Sequence, residues 1–438
     1  MTKKEFLHRR KALLSKMTPS SGALFFAAPV VIRSKDSAYP YRQNSDFWYF
    51  TGFNESEAAL LLIKSATYQN CSVLFNRRST FRTQVWLGNC LGQEAALSQL
   101  SVDYAFPWDT MSNNICLFLN SLKIIYHAQG QDSFADTILF SVLDKLHKGA
   151  SRKSSPPIRI ADWRPWVHEM RLVKSKAEQD LLRKAGRISA LAHQRAMSCL
   201  SPDMYEYQLE GEIQYEFSRY GARFSSYNTI IASGKNACIL HYNNNEKQMK
   251  SGELVLIDAG CELQGYAGDV TRTIPVNGAF TTPQRAIYSI VLDAINLGLS
   301  LYKPGATILY VTKCVTRMIT RRLIQLKILH GHEEALIESD ALNKFFMHKL
   351  SHWLGLDVHD VGNYGTNYNR VLEPGMVLTI EPGIYIPPDA NVPKEYLGIG
   401  IRIEDDILIT KDGNENLTVL AEKDIRTIET LMINKKKL

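Results

Sequence analysis

Along this chain, short apolar runs of strand length alternate with longer stretches of helical period, and the two kinds are arranged differently in its two parts. Between residue 22 and about residue 145, β-type runs occur at Ala23–Ala28, Leu60–Ile63, Ser72–Phe75 and Lys123–Tyr126, separated by helix-like segments. That mixture predicts an α/β domain. Ahead of it, Met1–Met17 sets Phe6, Leu7, Leu13 and Leu14 among Lys3, Lys4, Arg9, Arg10, Lys11 and Lys16, the pattern of an amphipathic first helix. A basic, Ser/Pro-rich break from Lys148 to Pro157 cannot build a core and reads as an exposed loop near a boundary. The domains are expected over 1–172 and 173–438.

The second part repeats itself. Ser175-Lys176-Ala177-Glu178 is a capping-box pattern, and Leu181, Leu182, Ala185, Ile188 and Leu191 supply the stripe of the helix it opens. A second helix is expected from Met204 to Tyr220, with Leu209, Ile213 and Phe217 stacked at successive turns. Strands follow to Pro275. Helices near Pro283–Lys303 and Leu309–Leu329 and strands from about 371 to 430 then restate that order. Two helices and a sheet, written twice, predict an α+β domain with pseudo-twofold halves and a site between them.

Composition narrows the class. With 438 residues, 45% hydrophobic and 22% charged, the chain is that of a soluble globular protein with a large core. No apolar run reaches the ~18 residues of a spanning helix, so no membrane partner is expected. The first helix lacks the unbroken apolar centre of a secretory signal; a mitochondrial transit peptide, likewise basic and amphipathic, is the alternative for that segment. Seven cysteines, without a CxxC pair, argue against a disulfide framework or zinc finger and suit a reducing cytoplasm. The net charge of +7 is thinly spread, and its C-terminal cluster, Lys435–Lys437, reads as a frayed tail; no nucleic-acid partner is expected.

The chemistry lies in misplaced carboxylates. Asp258 stands in the apolar run Val255-Leu256-Ile257-Asp258, where an unpaired buried charge costs several kcal/mol or forces protonation. A hairpin turning between Leu263 and Gln264, with Gly265 supplying the turn, would set Asp258 directly opposite Asp269, about 5 Å away. Like charges that close call for a cation between them. Otherwise one aspartate must be salt-bridged and the other face solvent. Met376–Glu381 again ends a strand with a carboxylate, and Ile399–Asp405 carries Glu404, with Arg402 on its face and Ile401 and Ile403 on the other. His348 and His352, four apart, are expected to share a helix face closed by Gly355. His359 follows in the next extended segment, and His241 stands in Ile239–Tyr242, just before Asn243, Asn244 and Asn245. The remaining histidines, His8, His127, His147, His168, His193, His330 and His332, read as ordinary. Four carboxylates and an imidazole make a hard site that favours Mn²⁺, and less strongly Co²⁺ or Fe²⁺. They are too many for one catalytic ion with an open position, so two ions fit better. HExxH, GxSxG, GxxxxGK[ST] and GxGxxG are all missing.

The ordered set Asp258, Asp269, His352, Glu381 and Glu404 resembles the ligand set of the pita-bread (creatinase/methionine-aminopeptidase-like) metallopeptidases. The runs His348–Asp360 and Pro40–Phe53 resemble its proline-specific branch, and with the chain length they look most like the aminopeptidase P family. The resemblance implies an α/β N-terminal domain before a pita-bread C-terminal domain. It further implies an exopeptidase that releases the first residue of a peptide with proline second, through a hydroxide bridging two metal ions. Prolidase, which shares the metal site, is the nearest competitor. By the same resemblance Asp258 serves one ion, His352 and Glu381 the other, and Asp269 and Glu404 bridge. Glu381 would shuttle protons, His241, His348 and His359 would contact substrate, and Arg402 would support a carboxylate. Asp36 and Trp86 are expected at the substrate cleft, Trp86 reaching a neighbouring subunit in a homo-oligomer, a dimer or tetramer.

Overall fold

The computed structural model describes residues 1–88, 90–148 and 156–434. Its contacts divide the chain into two units, Met1–Met170 and Arg171–Leu438. The Lys148–Pro157 break lies largely outside the described residues, and so does the basic tail Lys435–Lys437.

In the first unit all four expected strand runs form strands, Ser21–Phe26, Ala59–Lys64, Cys71–Asn76 and Ile124–Tyr126. With Tyr104–Pro107 and Arg159–Ala161 they make a mixed six-stranded sheet, in which Ala59–Lys64 is antiparallel to both its neighbours and the other pairings are parallel. The amphipathic helix spans Lys3–Lys16, and its Arg9 and Arg10 are buried, capping the carbonyls of Tyr49, Phe50, Leu100 and Ser101. The Pro40–Phe53 run is a structural knot. Gln43 accepts from the backbone N–H of Ala28 and Asn44 and donates to the carbonyls of Phe53 and Glu55. Asn44 caps helix Ser45–Thr51.

The second unit carries the repeated plan. Helices Lys176–Cys199 and Glu206–Arg219 precede the sheet Ile230–Ser233, Leu254–Asp258, Thr271–Pro275. Helices Thr282–Leu301 and Ile308–Gln325 precede the sheet Val377–Ile380, Asp405–Ile409, Asn414–Asn416. Ser175 and Glu178 form the expected capping box, and of the stripe only Leu191 is not fully buried. A bridge between Thr271 and Glu404 joins the two halves, and one continuous apolar core underlies both. The last described element is a helix, Ile425–Asn434, which begins where strand had been expected. Its Ile425, Ile428 and Met432 pack into that core, a helical spacing that a strand reading overlooks.

Candidate metal centre

Every candidate carboxylate leaves a strand end facing the seam between the halves. Asp258 closes strand Leu254–Asp258, Asp269 precedes Thr271–Pro275, Glu381 follows Val377–Ile380, and Glu404 precedes Asp405–Ile409. The hairpin after Asp258 turns at Gln264 and Gly265, both left-handed at φ 51° and 85°. That is one residue later than expected, so Asp258 pairs with Thr271 and not with Asp269. A shift of the turn by one residue moves the partner by two and leaves the side-chain face unchanged. Asp269 therefore sits diagonally from Asp258. Gly260 permits the narrow crossing there, since a Cβ on it would lie 1.8 Å from the Gly268 carbonyl.

The expected helix through His348 and His352 does not form. Residues 350–354 run extended beside strand Val377–Ile380: Glu381 N–H donates to Leu350, Thr379 N–H to His352, and Leu354 N–H to Val377. Gly355 consequently caps no helix; it makes room for the Asp360 carboxyl, 2.1 Å from where its Cβ would be. The i, i+4 spacing of apolar Phe346, Leu350 and Leu354 looks helical, but the exposed strand edge offered the backbone better partners.

This pairing aims His352 at the carboxylates. Its Nδ1 is 3.0 Å from the Trp353 carbonyl, which fixes the tautomer, and its Nε2 lies 3.4 Å from both Asp269 Oδ2 and Glu381 Oε1. Ligand atoms of Asp269, His352 and Glu404 all lie within 4.8 Å of one another. Asp258 is held by Arg402 Nη2 and the Tyr227 hydroxyl, each at 2.5 Å. Thr271 Oγ1 donates to Glu404 Oε2 at 2.7 Å, and Arg402 Nε donates to that same Thr271 oxygen. Asp406 accepts the backbone N–H of Asp269. Tyr385 takes a hydrogen bond from Arg402 and passes one to His348 Nε2 at 2.8 Å, while His348 Nδ1 is engaged by the Lys349 carbonyl.

Burial and mutual repulsion of the acids dominate the electrostatics of the site. Burial, reinforced by the neighbouring acids, pushes the Glu404 carboxyl far above its usual range. Burial likewise raises Asp258 against the pull of Arg402, and lifts Glu381 to about 7 against the pull of His352. Burial disfavours a charged His352, yet the carboxylates of Asp269 and Glu381 outweigh it and hold the ring up to about 9. The acids around His352 thus favour positive charge at this point. The donor set, four hard carboxylates and one oriented imidazole, fits divalent metal ions.

These groups line a cavity of about 560 Å³. His241, His348, His359 and Arg402 all border it, with Tyr227, Tyr364 and Tyr368. His348 is neutral: burial and Arg402 push it down to about 3. Asp36 and Trp86 belong to the other unit and are not among the residues bordering the cavity. Asp36 sits exposed in the turn between Ile32–Ser34 and Ser37–Ala38; Trp86 is 77% exposed on helix Phe81–Leu87. Tyr227, Thr271, Tyr385 and Asp406 escaped the sequence reading. Tyr227 and Tyr385 carry no local signal, but the unbroken acidic triplet Glu404-Asp405-Asp406 was visible.

Comparison with known proteins agrees with this geometry. Residues 180–411 match the model of metallopeptidase family M24, and residues 6–126 match the aminopeptidase P N-terminal domain. The chain belongs to metallopeptidase family M24, in its aminopeptidase P branch, and its second unit has the pita-bread fold. It is a peptide-bond hydrolase. It is 57% identical over 437 residues to the Xaa-Pro aminopeptidase of Escherichia coli, spanning 100% of this chain and 99% of that protein. The Haemophilus influenzae Xaa-Pro aminopeptidase is 45% identical over 99% of this chain and 98% of its own. The solved E. coli aminopeptidase P with the inhibitor Pro-Leu superimposes at a TM-score of 0.99 with 57% identity over the whole of both chains.

Proposed function

We propose that this hydrolase is an Xaa-Pro aminopeptidase, releasing the N-terminal residue from peptides with proline in second position. The observation that carries the reading is the convergence of Asp258, Asp269, His352, Glu381 and Glu404 on one cavity, in a chain 57% identical to a relative of that name. In this reading Asp258, Asp269, His352, Glu381 and Glu404 would together hold two divalent ions, with Asp258 toward one, His352 and Glu381 toward the other, and Asp269 and Glu404 available to each; Mn²⁺ would suit these donors best. Bound there, the ions would supply Lewis acidity toward the scissile carbonyl and lower the pKa of water to ~7.

The chain's own groups do the rest. Glu381, a carboxylate bordering the cavity, takes a proton from the attacking water and delivers it to the departing prolyl nitrogen. His359 and His241 border the cavity with exposed rings and donate to the substrate carbonyl and the developing oxyanion. His348, with both nitrogens engaged, lines the substrate pocket and keeps Tyr385 and Arg402 in place. Arg402 holds Asp258 in its ionised, ligating form.

Asp36 and Trp86 enter as substrate contacts from the first unit. Trp86 shares its helix with Phe81, Val85 and Leu87, all exposed; an apolar face of that kind suits a homo-oligomer in which Trp86 reaches a partner's cleft. The seven cysteines are all free, in keeping with a cytoplasmic enzyme. A length series tests the substrate assignment. Xaa-Pro-Yaa and longer peptides should release free Xaa, and replacing the proline by alanine should stop cleavage. Hydrolysis of Xaa-Pro dipeptides alone would instead make the enzyme a prolidase.

A further inference from the structure

His241 borders the cavity, yet no hydrogen bond or ion pair holds its imidazole among the described residues. Its position is therefore set by its backbone. That backbone is pinned from behind by one buried carboxylate, Glu206, in the first turn of helix Glu206–Arg219. Glu206 is 0% exposed and its oxygens accept five hydrogen bonds. Oε1 receives the N–H and hydroxyl of Ser233 at 2.8 and 2.7 Å and the Asn236 amide at 3.4 Å. Oε2 receives the Tyr242 hydroxyl at 2.8 Å and the Lys247 N–H at 2.9 Å.

These contacts bracket His241 on both sides, and Tyr242 is its immediate neighbour. Leu240, His241 and Asn243 border the cavity, whereas the Tyr242 hydroxyl is bonded to Glu206. One turn further along the helix, Glu210 binds the Asn245 amide at 2.9 Å. Asn245 is buried and held left-handed at φ 52°, bonded also to Ile231 N–H and the Thr229 carbonyl. The negative group at a helix N-terminus is stabilised by the helix dipole. A carboxylate filled with donors and without a cationic partner among the described residues is an expensive way to close a loop, and this one closes the loop that carries His241.

We propose that Glu206 is a positioning residue for the peptidase reaction, fixing residues 233–247 so that His241 meets the substrate. The proposal rests on the reading of His241 as a substrate contact. Glu206→Gln isolates the effect, because an amide accepts at only one end and must leave a backbone N–H, of Ser233 or of Lys247, facing its NH₂. Tyr242→Phe is the milder variant and removes one hydroxyl only.

The experiment is a double-mutant cycle with His241→Ala. It reads kcat and KM on an Xaa-Pro-Yaa peptide, the dissociation constant of Pro-Leu by calorimetry, metal content and melting temperature. Glu206→Gln should lower kcat/KM roughly ten- to a hundredfold and weaken Pro-Leu binding, with metal content unchanged; Tyr242→Phe should do so more mildly. Both losses should vanish when His241 is already alanine. Equal losses with and without His241 would overturn the proposal, since Glu206 would then act on the fold at large. Full activity of Glu206→Gln beside an impaired His241→Ala would overturn it while leaving His241's role intact. Full activity of His241→Ala would refute the reading of His241 and the proposal with it.

Discussion

Two kinds of buried carboxylate coexist in the second unit. Asp360, fully buried, lies 2.5 Å from Arg171 and 2.9 Å from Lys174. Asp405, equally buried, is paired with Arg272 and Lys423. Burial alone would raise both, but their cations win and hold both well below the usual carboxylate range. At the centre, Asp258 and Glu404 are buried and Glu381 is partly so, and all three are shifted the opposite way, with Arg402 and His352 the cations that offset them among the described residues. Asp360 and Asp405 are each neutralised by two cations of the chain itself, whereas the central acids share far less positive charge and make a fitting site for divalent cations.

Substitutions should therefore behave oppositely at the two kinds of site. Glu404→Gln at the centre should cost about a thousandfold or more in kcat, the scale on which charge-stabilising and proton-transfer groups act. It should leave the metal-free protein as stable as before, or more so, because repulsion is relieved; a clear fall in the metal-free melting temperature would break the comparison. Asp360→Asn should do the reverse in stability. It removes the buried carboxylate that both Arg171 and Lys174 contact, a loss of about 3–5 kcal/mol in denaturant unfolding, and an unchanged midpoint would show that the cluster is not structural.

A third buried group sharpens the contrast. His193 is held down by its surroundings: burial, aided by Arg272, pushes its ring down to about 4. Its folded value lies below the ~6.5 of the unfolded chain. Between those values the unfolded state binds the extra proton, so stability is full above pH ~6.5 and falls as pH drops toward 4, by about 3 kcal/mol in all. His193→Gln should flatten that part of the wild-type stability profile. Parallel profiles for the two proteins would show that the ring does not titrate in this way.

Much of this was legible in the chain because both signals are local. Apolar runs marked all four strands expected in the first unit, and a carboxylate inside such a run, as at Asp258 and Glu381, marked the site. Spacing alone misled at His348 and His352, where the backbone of 350–354 bonds a strand more than twenty residues away and no local pattern records it. The turn after Asp258 was displaced by one residue because Gln264 tolerates the left-handed conformation that had been assigned to Gly265. Tyr227, Tyr385 and Glu206 were invisible for the same reason as the strand pairing: each acts through a residue distant in sequence.

The most direct test of the central claim is equilibrium binding of Mn²⁺ to dialysed protein, followed by calorimetry and elemental analysis. About two ions per chain are expected, with a raised melting temperature and recovered peptidase activity on loading, and with binding lost in Glu404→Gln. A dialysed protein that takes up no divalent ion, or keeps its full activity without one, would contradict the account.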